Sequence, residues 1–142
     1  MSLYLDTSAL IKLLVDEPGS EIARTACDQA DFTSTSAIAH VEATAALTRM
    51  RKGNRVSAAQ LETALRELER LWDSLYAHAV TDSLIRAASS AAREHALRAY
   101  DAIHLASIMV FQEARQLTLA CWDRELRDAA QSRGIALVPE RL

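Results

Sequence analysis

The sequence predicts an α/β fold, a three-layer α/β/α sandwich with a short, mainly parallel central sheet. Three observations carry this. Short apolar runs alternate with segments of helical periodicity along the whole chain, the pattern of strands joined by crossover helices. The length of 142 residues suits a single domain, residues 1–142, with a sizeable core. Only 3 glycines and 2 prolines occur, too few for a protein built from tight turns, so helices should dominate.

The elements follow in order. "SLYL" (Ser2 to Leu5) is apolar, ends at Asp6 and reads as a buried strand. A helix should come next, with Ser8 as N-cap and Ala9, Leu10, Leu13 and Leu14 as its apolar stripe. "DEPGSE" breaks it, and a second helix is expected from about Ser20 to Gln29. "DFTST" (31–35) looks like a second short strand, and "SAIAHVEATAALTRMRKG" (36–53) a helix stopped by Gly53. Ser57 and Gln60 form a capping-box pattern, behind which Leu61, Leu65, Leu68, Leu71 and Trp72 recur at helical spacing. "LYAHAV" (75–80) reads as a strand. Thr81 or Asp82 caps the next helix, whose Ala87, Ala88, Ala91 and Ala92 permit close packing. "YDAIHLASIMVFQEA" (100–114) is a strongly apolar helix, "LTLACW" (117–122) a strand, "DRELRDAAQSRG" (123–134) a helix ended by Gly134, and "IALV" (135–138) a last strand. No linker, repeat or low-complexity stretch interrupts the series.

Composition narrows the function. Gly19, Gly53 and Gly134 lie too far apart for a dinucleotide-binding or P-loop motif. The formal net charge of −3 rules out a global basic field, so a nucleic-acid partner would be met by local patches or through metal ions. Cys27 and Cys121 match no metal or redox spacing. No leader-like or membrane-length apolar stretch is visible, and the plain expectation is a cytoplasmic protein with free thiols and no membrane contact.

Four acids sit at the seams between elements. Asp6 ends the first strand, Asp123 follows the "LTLAC" strand, Asp101 starts a very apolar helix, and Glu42 borders the apolar face of its helix. Taken singly, Asp101 and Asp123 read as helix caps or dipole partners, and Glu42 as a partly exposed helix residue. Taken together they fall where α/β sheets place their sites, outside the carboxyl ends of the strands. Carboxylates brought together repel one another unless cations neutralise them. Oxygen-only ligands select hard ions, so Mg²⁺ or Mn²⁺ is the expected guest.

"YLDTSALIKLL" (4–14), the helical Glu42, "AYDAIHLASI" (99–108) and "ACWDRELRDAA" (120–130) occur in the order of a PIN domain. The chain resembles the small single-domain VapC-type toxins of toxin–antitoxin pairs over essentially its whole length. "LDTSAL" and "YDAIHLA" are the most specific parts of the match. The resemblance implies an endoribonuclease that hydrolyses RNA phosphodiester bonds with Mg²⁺, Mn²⁺ being a substitute. It makes Asp6, Glu42, Asp101 and Asp123 the catalytic and metal-binding residues, with Thr7 or Ser8 as a supporting hydroxyl. It also implies an RNA substrate, a cognate antitoxin protein and a homodimer. One departure stands out: the family often has Thr or Ser two residues before its last Asp, and this chain has Cys121, a poor neighbour for a hard ion.

His104, three residues after Asp101, reads as a core or supporting residue, since hard cations do not favour imidazole. His40, His78 and His95 are scattered. Arg49, Arg51, Lys52 and Arg55 cluster at a helix end, where cations complement the helix dipole or meet an RNA phosphate. Arg124 and Arg127, just past Asp123, are further candidates for phosphate contact. The stripe from Leu61 to Leu71 is most simply core, and alternatively part of a dimer or antitoxin groove. Two other acid-bearing α/β classes fit less well. A haloacid-dehalogenase phosphatase needs a second Asp where Ser8 stands, and a receiver domain needs adjacent acids and a late lysine. The remaining alternative is a catalytically weak or inactive PIN-fold module acting through protein or RNA contacts.

Overall fold

The computed structural model describes residues 1–142 of the protein. Its first apolar run forms β1 (Ser2–Leu5), followed by α1 (Thr7–Leu14), α2 (Ser20–Asp28), β2 (Phe32–Ser36), α3 (Ala39–Lys52) and α4 (Ala58–Ser74). The second half comprises β3 (Tyr76–His78), α5 (Asp82–His95), α6 (Ala99–Gln112), β4 (Thr118–Ala120), α7 (Arg124–Ser132) and β5 (Ala136–Val138). The strands pair in the order β3-β2-β1-β4-β5, and every pair is parallel. The expected α/β sandwich is present, with a sheet that is wholly rather than mainly parallel.

The pleat explains the two faces. Tyr4 joins one core with Leu105, Ile108, Leu119 and Leu126, under α5, α6 and α7. Its neighbours Leu3 and Leu5 point the other way and pack with Leu10, Ala26 and Ala39. All three are fully buried, so β1 is covered on both sides, as an all-parallel sheet requires. The polar strand β2 is buried too, at Ser34, Thr35 and Ser36. It is tolerated there because its hydroxyls are spent: Ser34 Oγ donates to Leu3 O at 3.4 Å and Thr35 Oγ1 to Leu5 O at 2.7 Å.

The leucine stripe of α4 is core. Ala64 and Leu68 are buried with Ile11, Ala43 and Leu47, and Leu61, Leu65 and Trp72 pack against them. Leu71, at the end of the stripe, lines a hollow of about 310 Å³ with Leu13, Leu14 and Arg70. The capping box at Ser57 and Gln60 forms as expected, and Thr81 rather than Asp82 caps α5. At the end of α3 Gly53 occupies the cap position with φ −83°, and Asn54 is the residue that turns left-handed, with φ 57°.

The chain runs from β1 outward through β2 and β3, then returns to the other side of β1 for β4 and β5. This reversal leaves a crevice at the carboxyl ends of β1 and β4, where loops and helix N-termini meet.

Candidate active site

All four acids arrive at the sheet's carboxyl edge on the opening turn of a helix. Asp6 caps α1, Asp123 caps α7, Asp101 lies in the first turn of α6 and Glu42 in the first turn of α3. The cap reading is therefore correct for Asp123, whereas Asp101 sits inside the first turn as a dipole partner, and helix N-termini favour negative charge at all four. It is incomplete, because the four are linked: Cys121 bonds Asp6 and Asp123, Arg98 bonds Asp101 and Asp123, and Thr7, next to Asp6, bonds Glu42.

Asp6 follows β1 directly, and its backbone N–H continues the ladder to Ala120 O at 3.2 Å, beside Cys121. Its Oδ1 accepts from Ala9 N at 2.9 Å and from Ser8 Oγ at 2.7 Å. Asp6, not Ser8, is thus the cap. Ser8 instead holds the Asp6 carboxyl and accepts Trp122 N at 2.8 Å. The Cys121 thiol donates to Asp6 Oδ2 at 3.0 Å, and the Cys121 sulfur accepts Asp123 N at 3.3 Å. Burial and the adjacent Asp6 push the thiol far up, so it keeps the proton it donates. Cys121 therefore takes over the hydrogen bonding expected of a hydroxyl at this position. Burial raises the Asp6 carboxyl above the ordinary range, opposed by His104 and by the Cys121, Ser8 and Ala9 donors.

Asp101 and Asp123 share one guanidinium. Arg98 Nε donates to Asp101 Oδ2 and Arg98 Nη2 to Asp123 Oδ2, both at 3.1 Å. Burial and the nearby Asp123 nevertheless hold the Asp101 carboxyl above its usual range.

Glu42 is oriented by a relay from inside the sheet. Its Oε1 accepts from Thr7 Oγ1 and lies within bonding distance of His104 Nε2, each at 2.9 Å. His104 Nδ1 meets the Tyr4 hydroxyl at 3.0 Å. Tyr4 is buried and its hydroxyl is pushed far up, so it stays a protonated phenol beside Nδ1 and pins the imidazole against Glu42. His104 is a support behind the site, as expected. Glu42 Oε2 makes no hydrogen bond within the chain.

The donor set fits a hard divalent cation by type. It is all carboxylate, and two of its members, Asp6 and Asp101, are buried at a cost that a cation would relieve. It is not closed on one point: no three acidic, thiol or imidazole groups stand near enough together to hold an ion. Arg98 supplies positive charge to Asp101 and Asp123 instead.

The candidate phosphate contacts separate. Arg127 is buried, with Nη1 donating to Cys121 O at 2.8 Å and Nη2 to Pro139 O at 2.8 Å. It ties the C-terminal segment to β4 and has no free face for RNA, which corrects the sequence expectation. Arg124 is exposed. Arg51 is exposed and bonds Asn54 Oδ1 at 3.4 Å. Arg49 lines a hollow of about 210 Å³ with Thr7, Val41, Glu42, Ala46 and Tyr100. A second hollow of about 280 Å³ shares Ala46 and Arg49 as lining and reaches Arg55. The largest cavity, about 450 Å³, lies beyond Arg55 and Met50, away from the carboxylates.

Sequence reasoning missed Arg98 and the Tyr4–His104 relay. The available signal for Arg98 was its spacing three residues before Asp101 at a helix start. The relay had none, since its partners are 100 and 62 residues apart.

Comparison with known proteins identifies the family and the fold. The family model described as PIN domain matches residues 3–132. "Ribonuclease VapC49" of Mycobacterium tuberculosis (strain ATCC 25618 / H37Rv) is 34% identical over 139 residues, covering 98% of this chain and 96% of the relative. Among solved structures, PAE2754 from Pyrobaculum aerophilum superposes with a TM-score of 0.67 at 22% identity, covering 97% of this chain and 84% of that one. A chain of a toxin-antitoxin complex from Klebsiella pneumoniae gives a TM-score of 0.61 at 17% identity, covering 86% and 87%. The chain belongs to the PIN domain family.

Proposed function

We propose that this PIN domain protein is a metal-dependent endoribonuclease and the toxin of a toxin–antitoxin pair. The observation that carries the reading is the arrival of Asp6, Glu42, Asp101 and Asp123 on four helix N-termini at one crevice. The chain's 34% identity to a protein named a ribonuclease supplies the substrate class.

Asp6, Asp101 and Asp123 would hold the ion, with Glu42 completing the set from the α3 side. Bound there, Mg²⁺ or Mn²⁺ would polarise the scissile phosphate and lower the pKa of the attacking water. The chain's own residues do the rest. Cys121 and Ser8 fix the Asp6 carboxyl in one orientation, and Thr7 and His104 fix Glu42, so the donors are set before substrate arrives. A strand of RNA would lie along the hollows beside α3. Tyr100, 59% exposed on the lip, offers a ring for a base to stack on, and Arg49 and Arg55 offer charge to phosphates. These local cations answer the overall charge of −3. An antitoxin would cover this crevice, a partnership suggested by the structural similarity to a chain of a toxin–antitoxin complex. Pairing with a second copy belongs to the same proposal.

The test is cleavage of a single-stranded RNA by the whole chain. Activity should need added Mg²⁺ or Mn²⁺, stop in chelator and be lost in Asp6→Asn. A catalytically silent binding module is favoured by the Arg98 bridge and by the open spacing of the donors. RNA binding without cleavage at any divalent concentration would select it.

A further inference from the structure

Arg98 is the one cation that bonds site carboxylates. It reaches Asp101 and Asp123 at once, through two different nitrogens, at 3.1 Å each. Nothing else holds it there. It occupies the N-cap position of α6 in extended backbone, with φ −64° and ψ 156°, and caps nothing with its side chain. That side chain is 69% exposed, whereas the acids under it are 13% and 30% exposed. Its place is set by the two carboxylates rather than by packing.

We infer that Arg98 is a built-in counter-ion that a divalent cation must displace before the site can load. It keeps Asp101 and Asp123 together in the metal-free protein, and it moves outward when an ion takes those oxygens. The inference rests on the metal-dependent reading above. Two physical points support it. A guanidinium keeps its charge at any working pH, so it and a dication cannot share the same oxygens without strong repulsion. Each ion pair of so exposed an arginine is weak, and a dication held by buried carboxylates can outcompete both. Arg98 acts through the two acids and is a positioning residue.

Calorimetric titration of the whole chain with Mn²⁺, without RNA, tests this. Arg98→Gln should bind Mn²⁺ about tenfold more tightly than the parent, the scale of two exposed ion pairs removed. Arg98→Lys should fall between them, since an ammonium is a point charge and cannot fork across two carboxylates. In chelator Arg98→Gln should melt below the parent, and saturating Mn²⁺ should close that gap. Equal or weaker Mn²⁺ binding by Arg98→Gln would overturn the inference while leaving the metal-dependent reading standing. Failure of the parent itself to bind Mn²⁺ or Mg²⁺ would overturn both.

Discussion

Replacing Asp6 by Asn separates the structural role of this residue from its chemical one. The carboxyl is 3% exposed and its Oδ1 carries two bonds, from Ala9 N and Ser8 Oγ. Asn keeps that oxygen and is as good a helix cap as Asp. What it removes is a buried negative charge. A carboxyl whose folded-state pKa lies above the ordinary 3.8 binds its proton more tightly folded than unfolded. Stability is then greatest below pH 4 and falls as pH rises through the raised value, by about 1.4 kcal/mol for each pH unit of the shift. In chelator at pH 7, Asp6→Asn should therefore equal or exceed the parent in stability. Near pH 4 the two should converge. Asp6→Ala loses the cap and leaves Ala9 N without a partner, and should lie about 2 kcal/mol below Asp6→Asn at every pH. Mn²⁺ should raise the melting temperature of the parent well above that of either variant. Thermal and urea unfolding across pH 4–8 measures all of this. An Asp6→Asn protein more than about 1 kcal/mol less stable than the parent at pH 7 in chelator would refute the buried-charge argument.

Three further outcomes follow from the geometry. His78 is buried against Tyr4, Tyr76 and Phe111 with both ring nitrogens unpartnered, and burial pushes it down from 6.5 to about 4. Below 6.5 the unfolded chain takes a proton that the folded one refuses, so stability should fall by about 3 kcal/mol between pH 6.5 and 4; His78→Leu should flatten that slope in pH-dependent unfolding. Cys121→Ser should keep the donor to Asp6 and leave Mn²⁺ affinity within about threefold, whereas Cys121→Ala, which leaves Asp6 Oδ2 with no donor, should weaken it about tenfold or more in the same titration. Tyr100→Ala should weaken RNA binding by about tenfold in an Asp6→Asn background while Tyr100→Phe keeps it, and Arg49→Ala should reduce the salt dependence of binding by about one counterion.

Much of the site was legible because its acids mark element boundaries. Asp6, Asp101 and Asp123 stand where an apolar run stops or a helix opens, and local pattern reports such places directly. Glu42 was visible from its spacing on an amphipathic helix. The fold class followed from the alternation of short runs and helices, and β1 emerged over the expected residues. What stayed hidden was partnership across the chain. Ser8 looked like a cap, but the strand carries Asp6 far enough for its own carboxyl to reach Ala9 N. Arg127 looked free because its sequence neighbours are polar, while the carbonyls that bind it belong to Cys121 and to the C-terminal segment. Cys121 looked like a defect until the burial that keeps its thiol protonated was seen.

The nucleophile is the most direct question to put to the protein. Attack by the substrate 2′-OH needs an acid and a base with pKa near 7 on either side of the phosphate. The imidazoles are committed elsewhere: His104 to Tyr4 and Glu42, His78 to the core, His40 to Glu69 and His95 to Arg133. Four carboxylates at the crevice suit hydrolysis by water. End-group analysis of the RNA fragments distinguishes the two. Hydrolysis predicts a 5′-phosphate and a free 3′-OH, formed only with Mg²⁺ or Mn²⁺ present. A 2′,3′-cyclic phosphate, or undiminished cleavage in chelator, would contradict it.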